Sequence, residues 1–161
     1  MNWKPFARAV AMAGFALALH VGAGAADDPS PPPRANDKLA AARSQIAAKN
    51  WTFAIEELKR VNDTGHADWN NLMGYSLRKS QTPDLAAAER FYNEALRIDP
   101  KHRGALEYSG ELYLIKGDLA SAEKRLTALD KACLFGCEEY TDLKKKVARF
   151  KADGNKYVAV D

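Results

Sequence analysis

Cys133-Leu134-Phe135-Gly136-Cys137 sets two thiols either side of three residues, the closest pairing of reactive side chains in the chain. In an oxidising compartment an even pair this close suggests an intramolecular disulfide. Gly136 allows a turn that brings the two Cβ atoms to about 3.5–4.5 Å, which an unbroken helix would not do without strain. Closing so small a loop constrains the unfolded chain by about 2 kcal/mol, so the main effect of a bridge is to fix the angle of the segment after Cys137. Two other chemistries stay open. Cys137 at a helix N-terminus would be a stabilised thiolate and could make the pair redox-active. Two thiolates could also hold a soft ion such as Cu(I). Against both, the spacing is neither the two-residue spacing of thioredoxin-type motifs nor a haem-attachment pattern. No His or Met cluster supports a metal: past residue 25 only His66 and His102 remain. No metal site and no cofactor is assigned.

Catalytic patterns are lacking elsewhere in the sequence. It holds no phosphate-cradling Gly-rich loop, no Gly-x-Ser-x-Gly elbow and no metal-ligand pair at i, i+4, so the chain is not expected to be an enzyme. What it does offer is recognition chemistry. Asn71, Tyr75 and Arg78 succeed one another at steps of four and three, one face of one helix. Asn can pair with a peptide backbone, Tyr gives flat contact area with a polar tip, and Arg can grip a carboxylate in two places.

The elements that would hold these residues begin past a leader. Residues 1–25 have the parts of a secretory signal: Lys4 and Arg8, an apolar run from Ala9 to Val21, then Ala23-Gly24-Ala25 for cleavage. The run is short for a membrane span, which needs about 20 apolar residues. The expectation is an exported, periplasmic product with no stable membrane insertion. The full chain has 24 Lys and Arg against 21 Asp and Glu; without Lys4 and Arg8 the count is 22 against 21. So even a balance implies no nucleic acid partner. Residues 26–36, with Pro29, Pro31, Pro32 and Pro33, form neither a helix ladder nor a buried face and read as a stiff disordered spacer.

From residue 37 the chain repeats itself every 34 residues. Trp51, Leu85 and Leu119 keep that step, as do Ala54, Ala88 and Ala122; Leu58, Tyr92 and Leu126; and Val61, Ala95 and Leu129. The small residue of each preceding segment falls at Ala42, Gly74 and Gly110. Each unit therefore reads as two antiparallel helices: 37–49 with 52–62, 67–80 with 84–98, and 103–116 with 119–132. Thr82 is the expected N-cap of the fourth, with Pro83 in its first turn; Gly117-Asp118 ends the fifth and caps the sixth; Pro100 stops the fourth. A small residue lets two helices approach, and a helical hairpin alone leaves an apolar face bare, so the units must stack. A seventh helix, within residues 133–152, closes the array, because Tyr140, Leu143, Val147 and Phe150 step by three and four. Its acids lie at the start and its bases toward the end, as a helix dipole favours. The tail 153–161 ends in the apolar Tyr157-Val158-Ala159-Val160 before Asp161, which could pack, pair with another chain or fray.

Residues 37–132 resemble the tetratricopeptide repeat family. The middle unit matches best, through Leu72-Met73-Gly74-Tyr75, Ala88, Tyr92, Ala95 and Pro100; the third matches through Gly110, Tyr113, Gly117, Ala122 and Leu126. His66 and Leu134 stand where that family usually has Pro. The resemblance implies an all-α, right-handed α-solenoid of three helix pairs with a capping helix. It implies a groove formed by the first helix of each unit, binding an extended or helical segment of another protein. By helix position that groove would take in Arg43, Ile46, Asn71, Tyr75, Arg78, Lys79, Glu107, Glu111 and Leu114. The terminal-carboxylate clamp of some members is not expected, since its places hold Leu39, Leu72, Gly104 and Tyr108. The functional expectation is an exported adaptor, with a thiol-redox or copper-handling protein built on Cys133 and Cys137 as the alternative.

Overall fold

The computed structural model describes residues 37–157. The leader, the Pro-rich spacer and residues 158–161 lie outside the described residues. Among the described residues there are seven α-helices and no strand: α1 (Ala40–Ala47), α2 (Trp51–Val61), α3 (Ala67–Lys79), α4 (Leu85–Ile98), α5 (Arg103–Ile115), α6 (Leu119–Ala132) and α7 (Glu138–Ala152). None is long and apolar enough to cross a membrane.

The ends of these helices are set by local chemistry. Asp118 accepts a hydrogen bond from the Ser121 amide at 3.0 Å and caps α6, while Gly117, at φ +76°, turns the chain out of α5. The start of α4 differs from the Thr82 expectation. Asp84 is the cap, accepting from the Ala87 amide at 2.8 Å, and Pro83 precedes it. A carboxylate is a stronger acceptor there than a hydroxyl and also meets the positive end of the helix. His102 caps α5 through its Nδ1, which accepts from the Ala105 amide at 3.1 Å. The α2–α3 turn, where a Pro would stand in the resembled family, is tied by Asn70 instead. Its Nδ2 donates to the carbonyls of Thr64 and His66 at 2.7 and 3.0 Å.

Packing accounts for the 34-residue columns. Ala54, Ala88 and Ala122 are each fully buried on the second helix of a pair, and Leu58 and Tyr92 beside them are fully buried too. Gly74 lets α3 lie against α4: a Cβ there would come within 2.9 Å of the Tyr92 ring and 3.1 Å of the Ala88 carbonyl oxygen. Gly110 serves a different neighbour, since its Cβ would run into Leu143 of α7. The apolar interior runs as successive clusters rather than one centre. Leu39, Ala42, Leu58, Trp69, Leu72 and Met73 join α1 to α3; Ala88, Tyr92 and Leu112 join α4 to α5; Leu106, Leu114, Leu129, Leu143, Val147 and Phe150 join α5 to α7. This is a helical solenoid.

Its sense of curvature can be read from which helices touch. The first helices of successive units pack on one another, α1 on α3, α3 on α5 and α5 on α7, whereas α2, α4 and α6 make no such contact. A stack that is closer along one side bends toward that side, so α1, α3, α5 and α7 form the concave face. On the outer side the gap between α2 and α4 leaves a cleft of about 550 Å3, lined by Ile55, Trp69, Met73, Leu77 and Phe91 among others.

Candidate functional site

The concave face carries a connected set of aromatic and charged side chains centred on Arg78. Its guanidinium makes a 2.7 Å ion pair with Glu111, and its Nε donates to the Tyr92 hydroxyl at 3.2 Å. It also lies 5.4 Å from the Tyr75 ring centre and 5.7 Å from that of Tyr108. Tyr75 and Tyr108 are themselves 4.6 Å apart, and Trp51 meets Tyr75 edge-on at 5.8 Å. From α7, Lys146 hydrogen bonds to Glu111 and stands 3.6 Å from Glu107. Three stacked units and α7 thus each contribute to one surface.

Burial sets the electrostatics. The side chains of Arg78 and Glu111 are only 4% and 7% exposed, so their charges interact with little screening. Burial by itself would lower the Arg78 pKa; Tyr92 and Glu111 outweigh it and push it higher. Burial and the neighbouring Glu111 carboxylate raise Glu107 to about 7, against the pull of Lys146. Burial also raises the Tyr75 and Tyr108 phenols, so both stay neutral hydrogen-bonding groups at ordinary pH. Asn71, 6% exposed, lies beside Gly104 of α5, where a Cβ would come 3.1 Å from its Nδ2. Its Oδ1 is buried and has no hydrogen-bond partner among the described residues.

A second charged cluster pins the first helices together nearer α1. Asp68 takes a hydrogen bond from His102 Nε2 at 2.8 Å and one from Arg43 at 2.9 Å. Because His102 Nδ1 already accepts from Ala105, this arrangement assigns the neutral ring with its proton on Nε2. The His102 bond is the main cause that brings Asp68 down to about 2, with burial opposing and Arg43 assisting.

The nine residues expected in the groove divide accordingly. Asn71, Tyr75, Arg78, Glu107 and Glu111 come together on α3 and α5. Arg43 is exposed and bound to Asp37 and Asp68, and Ile46 packs against the α1–α3 core. Lys79 is exposed and has no ion-pair partner among the described residues. Leu114 does not line the groove: it is fully buried. With Leu106 and Gly110 it forms a stripe at spacing four, and α7 covers that stripe. The seventh helix also does more than cap, since it supplies Lys146 to the groove. Sequence reasoning does not reach Trp51, Tyr108 and Lys146 as groove residues. The signal that could find them is the repeat itself: Tyr108 comes 33 residues after Tyr75, and Lys146 comes 35 after Glu111.

Cys133 and Cys137 are bonded to each other, with Cα atoms 5.6 Å apart, in the turn between α6 and α7. The Gly136 amide donates to the Cys133 carbonyl at 3.1 Å, and Gly136 takes the left-handed φ of +85°. Leu134 and Phe135 point into solvent. A Glu139 oxygen lies within 4.8 Å of both sulfurs.

Fold and face together define a helical-repeat protein with a lined concave surface. Among solved structures, the chain is similar to the type III secretion chaperone SycD of Yersinia enterocolitica in complex with a peptide of the translocator YopD. The TM-score is 0.59 at 18% identity, over 72% of this chain and 88% of that one. That likeness is one of fold. No protein-family model matches the chain, and no curated protein matches it in sequence.

Proposed function

We propose that this chain is an exported adaptor of tetratricopeptide type, which holds a segment of a partner protein against the face formed by α1, α3, α5 and α7. The observation that carries the reading is the Arg78 network. Aromatic and charged side chains from several different helices converge around one guanidinium, which a purely structural stack of helices does not need. A Tyr pair offers flat area for apolar side chains of a guest chain. The complex of SycD with a translocator peptide supports the same use of a similar fold. The leader and the Cys133–Cys137 pair support export to an oxidising compartment.

Recovery of periplasmic partners on immobilised protein tests this reading. The chain with Tyr75→Ala should lose partners that the unaltered chain retains; equal recovery by both defeats it. A second reading, metal or thiol handling, has one observation in its favour, the Glu139 oxygen beside both sulfurs. Changing both cysteines to Ser separates the two. An adaptor keeps its partners with some loss of stability, whereas a thiol or metal protein loses its activity.

A further inference from the structure

The turn between α6 and α7 presents two large apolar side chains to water. Cys133 is buried in the cluster of α5, α6 and α7, and Cys137 packs against it, so the bond between them anchors both ends of a three-residue loop. Gly136, at φ +85°, turns that loop, and its amide closes on the Cys133 carbonyl. Held in this way, Leu134 is 84% exposed and Phe135 fully exposed. Their burial elsewhere would be favourable. A loop already fixed at both ends also loses little further freedom when it docks.

The outer face of the same chain carries an apolar recess. The α2–α4 cleft, at about 550 Å3, falls among pockets that enclose small ligands, and so has room for a Phe ring and a Leu side chain together. Ile55, Trp69, Met73 and Phe91 give it apolar walls, and Lys59 is the charged residue of its lining. Lys59 is exposed and has no ion-pair partner among the described residues. Glu138, next to the loop, is likewise exposed and unpaired among them, whereas Glu139 is held by Arg103; Asp130 and Lys131, at the end of α6, are of opposite sign. The loop does not enter the cleft of its own chain, because α6 and α7 touch α5 and each other but not α2, α3 or α4. Two copies can make the contact. We propose that Leu134 and Phe135 of one copy insert into the α2–α4 cleft of a second copy, with Glu138 set against Lys59. Such a contact joins two different surfaces, so it is head-to-tail and can extend to further copies. A Phe side chain buries only about 150–250 Å2, and the contact stays well below the roughly 1,200 Å2 of a stable interface, so association is weak and sets in at high concentration. It uses the outer face and leaves every concave face open, which would make a row of grooves out of single ones.

Sedimentation velocity of the full chain, from about 10 μM to about 1 mM, decides it. The mean sedimentation coefficient should rise with concentration, and Phe135→Ser, a change at a fully exposed position, should weaken the association at least tenfold. Lys59→Glu and Glu138→Lys should each weaken it by about two- to fivefold, and the chain carrying both changes should regain the original strength, since the pair is then reversed across the contact. A constant coefficient overturns the proposal, as does association that Phe135→Ser leaves intact. Association that depends on Phe135 but not on Lys59 would mean that loops meet each other rather than the cleft, and it overturns the proposal too. So does a double variant no stronger than the single ones. A chain that stays monomeric but binds phosphatidylethanolamine–phosphatidylglycerol vesicles through Phe135 would assign the loop to a lipid surface instead, and overturns it. Tyr75→Ala, on the opposite face, should leave self-association unchanged while it abolishes partner recovery, so either reading can fail without the other.

Discussion

Replacing Arg78 by Met strands the Glu111 carboxylate in a 7%-exposed site with Lys146 as its remaining cation. Breaking one side of a buried pair costs about 3–5 kcal/mol, and the surviving Lys146 contact places the loss near the lower figure. Urea unfolding of Arg78→Met should therefore show a much lower midpoint, and adding Glu111→Leu should restore at least half of the loss; no restoration would mean that the pair is not coupled. Glu107 sets a second expectation, with a defined sign. Its folded pKa, about 7, lies above the ordinary value of 4.5. The folded state therefore holds the proton more tightly than the unfolded chain. Stability is greatest below about pH 4.5 for this group and falls as pH rises through 7, by roughly 2–3 kcal/mol. Glu107→Gln should flatten that fall between about pH 5 and 7.5; an unchanged slope counts against burial as the cause. Asp68 acts in a separate window, because its lowered pKa gives stability that is lost only as pH drops from about 4 toward 2. Type and spacing make Asn71, Tyr75 and Arg78 legible as one helix face. Their burial is not legible, since it comes from neighbours on α4 and α5: Tyr92 and Glu111 at Arg78, Tyr108 at Tyr75, and Gly104 at Asn71.

Among the elements, the glycines at helix crossings are the most sensitive positions. Gly74→Ala meets a buried Tyr92 ring and a backbone carbonyl, and Gly110→Ala meets a buried Leu143. Each should cost about 1–3 kcal/mol by overpacking, read as a shift in the denaturant midpoint with the slope unchanged. A neutral Gly110→Ala would mean that α7 does not lie against α5 at this point. His102→Ala removes the α5 cap and the donor to Asp68 together, and should cost about 1 kcal/mol from the cap alone. The helices themselves are readable from the 34-residue columns and from Asp118, because small residues, caps and apolar steps act locally. Thr82 and Asp84 are both good N-cap types, and only the hydrogen bond from Ala87 separates them, so the sequence points to the wrong one. Leu114 reads as a groove residue for a related reason: helix periodicity gives the faces of α5 but not which of them α7 covers.

At the scale of the whole molecule, the stack curves toward α1, α3, α5 and α7 because those helices touch and their partners diverge. A solenoid of this kind is held by neighbouring units, so the angle of α7 matters to the groove as well as to the end of the core. Reducing the Cys133–Cys137 bond or changing both residues to Ser should lower stability by about 2 kcal/mol while leaving the concave face intact. The most direct test of the central claim is photo-crosslinking with benzoylphenylalanine placed singly at Tyr75, on the concave face, and at Phe53, an exposed residue of the outer helix α2. Adducts with partner proteins should form at position 75 and not at position 53. Adducts at position 53 alone, or equally at both, would contradict the account.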